Sequence, residues 1–496
     1  MNEANEAQQV KLSRPEGVKT LSEAGAVAHV AAIQHHGEKL TIPEGMSIPD
    51  AIDLLKRREK YLQEETSMAE TFDVFPFDGA NAVNEVLCAR FGFAAGERIP
   101  SFFGSQPPQL LSVEVGPGVF RRVPWGRVSI PGVEGYLQTV MTWDGDRLKF
   151  VLHGVVRRAD EATIASIFND VRVYLKDHSI YLGQAVKIRF LDNDGDRLPI
   201  PEVRFIDTKE INEDNLVFSD SVSGAIETNL FTPIRRVREL VANGIPVKRS
   251  TLLGGTYGTG KTLAAAVASK LAVQAGVTHI YVPRADELAI AVQFAMQYAN
   301  PACMIFCEDI DRVLAGERTV EMDDILNIID GIDSKSSNIM CVLTSNDLEA
   351  INPAMLRPGR LDAVIEVTPP DAKAVERLLR AYGGDTIAPE TDLSRAGTLL
   401  NGSIPAVIAE VVKRAKLAQL RMQPIGQLVT SITEDAIVEA AATMSAQLKL
   451  LESKLGPKEE EPTLDGLFAD LVERIVADAT ERMAGQVSSI AKAVDA

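Results

Sequence analysis

One stretch constrains this chain more than any other: Ser250-Thr-Leu-Leu-Gly-Gly-Thr-Tyr-Gly-Thr-Gly-Lys-Thr262. An apolar run leads into Gly255-x-x-x-x-Gly260-Lys261-Thr262, and the Ala-rich Leu263–Val273 behind it has helix-forming composition. A strand, a glycine-rich turn and a helix in that order form a phosphate-binding loop. The glycines let successive backbone N–H groups turn inward around an anion, and the helix N-terminus adds its positive field. The residues expected around the phosphates are Gly255, Thr256, Tyr257, Gly258, Thr259, Gly260, Lys261, Thr262 and Leu263. Lys261 would reach the terminal phosphates and Thr262 would offer its hydroxyl to Mg²⁺. A merely flexible turn would not need Lys and Thr at those two positions.

Two further apolar runs end in polar groups suited to the same chemistry. Cys303-Met-Ile-Phe-Cys307 ends in Glu308-Asp309-Ile310-Asp311. Carboxylates at the end of a buried strand are costly unless a cation or hydrogen bonds compensate them, and Mg²⁺ with a water to be activated supplies that compensation. Ile339–Leu343 ends in Thr344-Ser345-Asn346, whose amide can orient water against a γ phosphate. Asn352-Pro-Ala-Met-Leu-Arg357-Pro-Gly-Arg360-Leu-Asp362 then presents two arginines at a spacing suited to phosphate, in the manner of an arginine finger.

These four elements in this order resemble the AAA ATPase family, and the resemblance extends over about 217–416. It implies an α/β fold: a parallel-sheet nucleotide domain (217–370) with a small helical lid (371–450). It implies ATP with Mg²⁺, held between neighbouring subunits of a homo-oligomeric ring, usually a hexamer. Arg357 and Arg360 would then act on the next subunit's ATP. Carried over by position, Glu308 and Thr262 hold Mg²⁺, Asp309 polarises the attacking water and Asn346 orients it. The backbone at Ser221 and Val222 would contact adenine, and Gly402–Ala406 would close over the nucleotide.

Two departures from the family pattern stand out. The family usually ends its acidic strand in Asp-Glu, whereas the order here is Glu308-Asp309, as in the branch that moves the folded Rieske iron–sulfur protein. The shorter Asp must sit closer to its water, which makes slow turnover the expectation. Threading members also carry an aromatic-hydrophobic-Gly pore loop before the acidic strand. The run from Glu287-Leu288 to Phe294 is too short to hold one, and Phe294 and Tyr298 read as a buried helix face.

The chain has 496 residues, too many for one core when domains hold about 100–200 residues. Residues 1–45 read as a polar segment with a helix near Leu21–Gln34, and the adjacent His35-His36 has no ligand partner at useful spacing. Residues 46–205 read as an α+β recognition module. Its helices are expected over Ile48–Glu65, Asn81–Phe91 and Ala162–His178. Its short strands lie in QLLSVEV, VFRRVPWGRVSI, GYLQTVMTW, RLKFVLHGVV and Gln184–Phe190, with Asp144-Gly145 as a hairpin turn. LDNDGDRLP lacks the glutamate that would complete a calcium loop and reads as a polar turn. A charged connector (206–216) follows, and a helical extension (451–496) closes the chain. From Thr433 on, stripes at Ile437, Ala441, Met444, Leu448, Leu451 and at Leu464, Leu467, Phe468, Leu471, Ile475 suit packing or a partner helix.

A formal net charge of −18 opposes nonspecific binding to nucleic acid or an anionic membrane. No apolar run approaches the ~18–20 residues of a membrane helix, and the polar start does not read as a signal peptide, so a cytoplasmic setting is expected. The cysteines Cys88, Cys303, Cys307 and Cys341 show no metal-ligand spacing. The leading functional expectation is an ATP-driven remodeller of a protein target. A threading unfoldase, a DNA loader and a nucleotide-held scaffold with little turnover stand as alternatives.

Overall fold

The computed structural model describes residues 34–36, 39–42, 45–101, 104–311, 338–349, 351–352 and 360–455. The helix expected over Leu21–Gln34 therefore falls almost wholly outside the described residues, as does the stripe Leu464–Ile475. His35 and His36 lie in β1 (Gln34–His36), which pairs with β2 (Lys39–Thr41).

The first unit begins with α1 (Ile48–Gln63), capped by the Ser47 side chain, which accepts from the Asp50 N–H. Then come β3 (Glu65–Phe72), α2 (Pro76–Phe91), β4 (Ala95–Gly96), β5 (Ile99–Ser101) and β6 (Gly104–Gln106). They are followed by β7 (Gln109–Gly116), β8 (Val119–Trp125), β9 (Arg127–Ser129), β10 (Gly135–Asp144), β11 (Arg147–Arg157) and α3 (Glu161–His178). β10 and β11 form the expected hairpin, with Asp144 opposite Arg147 and Gly145 at φ +59°. The sheet order is β3-β11-β10-β9-β4. Leu137, Phe150, Leu152 and Val156 turn one face of it against Val83, Leu87, Ile164, Ile167 and Val171 of α2 and α3. The contact is close: a Cβ on Gly79 of α2 would lie 2.1 Å from the Phe150 ring, so only glycine fits.

The second unit is a seven-stranded sheet built from β12 (Ala185–Leu191), β13 (Arg197–Phe205), β14 (Arg249–Gly254), β15 (Thr278–Val282), β16 (Cys303–Cys307), β17 (Ile339–Ser345) and β18 (Ala363–Glu366). Its order is β13-β12-β15-β16-β17-β14-β18, parallel throughout except for β13. The boundary expected at 205 falls on this sheet: β12 and β13 precede it in sequence yet extend the nucleotide sheet, because Ala185–Lys187 pair in parallel with His279–Tyr281.

Strand alternation gives this sheet two faces. Met304, Phe306, Met340 and Val342 pack on α7 (Lys261–Ala275). It is preceded by the short helices α4 (Asp220–Ile226), α5 (Thr232–Arg235) and α6 (Val237–Ala242). Cys303, Ile305, Cys307, Cys341 and Leu343 pack on α8 (Leu288–Gln297). These three cysteines are buried small apolar groups, and burial pushes their thiols up, Cys307 and Cys341 to about 12.

The far side of α8 carries the first unit. Phe75, Ala80, Val113, Val123 and Leu148 share one continuous core with Phe294 and Tyr298. The Phe75 and Phe294 rings meet edge to face at 5.6 Å, and the Tyr298 oxygen accepts the Phe75 N–H at 2.8 Å. Phe294 and Tyr298 are thus core residues, 4 % and 1 % exposed.

The lid consists of α9 (Ala372–Gly383), α10 (Ser394–Leu399), α11 (Pro405–Met422) and α12 (Glu434–Leu455) around Val375, Leu379, Ile408, Val411 and Leu400. Ile437, Ala441 and Met444 of α12 join that core, so the start of α12 packs on the three helices before it. No helix among the described residues is long and apolar enough to cross a membrane.

Candidate functional site

The site gathers at the carboxyl ends of β14, β15, β16 and β17, where side chains of four separated segments meet. β14 ends in Gly254, and Gly255 leaves it at φ +148° with its N–H donated to Ser345 O, 3.2 Å. A Cβ there would stand 2.4 Å from Val367 O, so the loop can start only from glycine. Gly258 (φ +74°) and Gly260 (φ +102°) then turn the backbone inward. Thr259 is buried and ties the loop together by donating to Thr256 O at 2.9 Å. Tyr257 is exposed, and Leu263 lies in the first turn of α7.

Lys261 opens α7, and its Nζ donates to Gly255 O (2.6 Å) and Thr256 O (2.9 Å). It is 6 % exposed, and burial lowers its pKa, opposed by the nearby Asp309 and Asp311. The Thr256 hydroxyl is buried and has no hydrogen-bond partner. Inward-turned glycines, a lysine ammonium at the start of a helix and an orphaned loop hydroxyl fit a polyphosphate.

The cation side is equally ordered. Thr262 donates to Glu308 Oε1 at 2.7 Å, and the Tyr281 hydroxyl donates to Glu308 Oε2 at 2.8 Å. Burial raises the Tyr281 pKa, and the hydrogen bond to Glu308 raises it further, so the phenol keeps its proton. Hard oxygen donors from one hydroxyl and one carboxylate fit Mg²⁺, which binds through few protein ligands plus phosphate and water. Among the described residues no cluster of three or more His, Cys, Asp or Glu forms a fuller metal cage.

Asp309 has φ +50°, a left-handed conformation that non-glycine residues adopt at some cost. Its N–H reaches the Thr344 hydroxyl (3.3 Å), and its Oδ1 accepts from Asn346 Nδ2 (2.7 Å). Asp311 accepts the Asn346 N–H at 3.2 Å, and Ile310 N–H donates to Thr344 O. The ends of β16 and β17 thus hold the acid and the amide side by side, facing the loop.

Ser221 and Val222 lie in α4, with Val222 buried. Beside them, Phe218 closes on the loop: a Cβ on Gly260 would be 3.2 Å from its ring. The lid covers the other flank, where a Cβ on Gly258 would meet Ile404 at 2.9 Å and Ala406 at 3.8 Å. Arg357 lies outside the described residues. Arg360 is half-buried at a turn just before β18. Two residues on, Asp362 is fixed to the opposite end of β14, accepting the Ser250 N–H at 2.8 Å and donating its own N–H to Ser250 O at 2.8 Å.

Sequence reasoning passed over Tyr281 and Phe218. A tyrosine inside THIYV reads as ordinary strand filler. Only the register that sets Tyr281 beside Phe306, two residues before Glu308, reveals where its hydroxyl goes.

Residues 251–369 match the ATPase family associated with various cellular activities (AAA). Similar proteins include the ATP-dependent zinc metalloprotease FtsH of Corynebacterium glutamicum, 32 % identical over 219 residues, covering 40 % of this chain and 25 % of that protein. FtsH of Rubrobacter xylanophilus is 29 % identical over 270 residues, covering 49 % of this chain and 40 % of that protein. FtsH 1 of Petrotoga mobilis is 29 % identical over 241 residues, covering 45 % and 36 %. The matches thus span between a quarter and two-fifths of these relatives' own lengths.

Proposed function

This chain carries an AAA ATPase domain, and from that premise we propose that it hydrolyses ATP at the interfaces of a ring of its own copies, remodelling a protein target. The observation that carries the shared-site reading is where the chain just after Arg360 is anchored. Asp362, two residues on, is anchored at Ser250, whereas the phosphate loop begins at Gly255 at the other end of β14. At ~3.3 Å per residue the strand separates these ends by about 15 Å. An arginine there is better placed to serve a neighbouring copy's nucleotide than its own.

Within the site, the loop N–H groups and Lys261 would hold the β and γ phosphates. Thr262 and Glu308 would hold Mg²⁺. When bound, Mg²⁺ would neutralise phosphate charge and act as a Lewis acid. Asp309 would take a proton from the attacking water, with Asn346 fixing both. Arg360, with Arg357, would meet the charge that develops in the transition state.

The burial of Phe294 and Tyr298 favours remodelling over threading, because the helix in the pore-loop position is used as a docking face for the first unit. That unit would carry target recognition and feel nucleotide-driven movement through α8. None of the six histidines in these 496 residues stands in the His-Glu-x-x-His spacing of a zinc metalloprotease site. The formal charge of −18 argues against a DNA-loading role.

The test is ATP turnover against protein concentration, with Arg360→Ala and Lys261→Ala beside the wild type. We expect specific activity to rise with assembly, Arg360→Ala to lose about 10³-fold or more in turnover while still binding ATP, and Lys261→Ala to lose binding. Full turnover by a dilute monomer, or by Arg360→Ala, would remove the shared site.

A further inference from the structure

Glu308 is longer by one methylene than the aspartate usual at its position, and that extra rotatable bond must be fixed before the carboxylate can present one oxygen reliably. Both of its oxygens are held here. Oε1 accepts from Thr262 at 2.7 Å, and Oε2 accepts from Tyr281 at 2.8 Å. The tyrosine ring is itself clamped. Phe306 stacks on it at 5.4 Å and 23°, and Lys187 Nζ stands 5.5 Å from its centroid. Lys187 comes from β12, directly opposite Tyr281 in the parallel register.

We infer that Tyr281 is a positioning residue for the divalent-cation site, anchoring Oε2 of Glu308 so that Oε1 and the Thr262 hydroxyl face the cation together. The inference rests on the ATPase reading above. With its proton committed to Oε1, Thr262 turns its lone pairs outward, which is the orientation a cation requires. The clamp by Phe306 and Lys187 lets a single phenol hydrogen bond act with little entropic loss. Tyr281 itself need touch neither nucleotide nor metal.

The test uses the full chain with a non-hydrolysable ATP analogue. Mn²⁺ binding is read by electron paramagnetic resonance, and analogue binding is read separately in EDTA. Tyr281→Phe keeps the ring and removes the hydroxyl; Mn²⁺ affinity should fall about tenfold, as for other outer-shell partners, with analogue binding in EDTA unchanged. In a Glu308→Asp background the shorter carboxylate does not reach the phenol, so Tyr281→Phe should add nothing. Wild-type Mn²⁺ affinity in Tyr281→Phe, or the same loss in the Glu308→Asp background, would overturn the positioning role. Loss of analogue binding in EDTA would also overturn it, by showing a structural role. A wild-type chain that binds neither analogue nor Mn²⁺ would instead sink the ATPase reading beneath it.

Discussion

Replacing Tyr298 with phenylalanine removes one oxygen from the contact between the first unit and the nucleotide sheet. That oxygen is 2.8 Å from the Phe75 N–H, which has no water nearby to replace it, since Phe75 and Tyr298 are each 1 % exposed. The hydroxyl also hydrogen-bonds the buried Asp78, whose other partners are the Ser179 hydroxyl and the Ile180 N–H. Asp78 keeps those two, so the main cost is one orphaned buried N–H, about 1–3 kcal/mol. Both tryptophans, Trp125 and Trp143, lie in the first unit, Trp125 against the shared core and Trp143 under Arg197 of β13, so their fluorescence reports on that unit and its contact with the sheet. At a slope of roughly 2 kcal/mol per molar urea, the tryptophan transition should move down by about 0.5–1.5 M. ATP binding should be unchanged. An unmoved midpoint would refute the claim that α8 is a load-sharing interface and would reopen the aromatic residues to a role at a pore.

Asp309→Asn keeps an oxygen to accept from Asn346 but loses the base, so it should hold ATP while turnover falls at least a hundredfold, measured by single-turnover phosphate release. Burial pushes Asp78 up to about 6 from 3.8, so the fold binds its proton more tightly than the unfolded chain does. Its contribution to stability is therefore complete below pH 4 and lost as pH rises from 4 to 6. The urea unfolding free energy of the wild type minus that of Asp78→Asn should fall across that window, by an amount of order 2–3 kcal/mol, and stay level above it.

The candidate site was legible because its chemistry is written at the ends of apolar runs. Gly255–Thr262, Glu308-Asp309 and Asn346 each stand just after a strand, and parallel strands bring such ends together. Contacts between distant segments were less legible. β3 reads as Glu-Thr-Ser-Met-Ala-Glu-Thr-Phe, too polar to announce a strand, and it forms as an edge paired to β11. α2 begins at Pro76, five residues before its apolar face suggests, because Pro fits the first turn and Asp78 is held there by Ser179. β12 carries ordinary alternation, and nothing in Ala185–Leu191 says that it pairs with Thr278–Val282. The role of Tyr281 depends on that same non-local register.

The measurement that bears most directly on the shared site is turnover in rings mixed from Lys261→Ala and Arg360→Ala chains. Each variant alone lacks one half of every site, so each should be nearly inactive. In a one-to-one mixture, about a quarter of the interfaces would join an intact Lys261 to a neighbour's intact Arg360, and activity should recover towards that fraction of wild type. A mixture no more active than its separate components, although mixed rings form, would contradict the account.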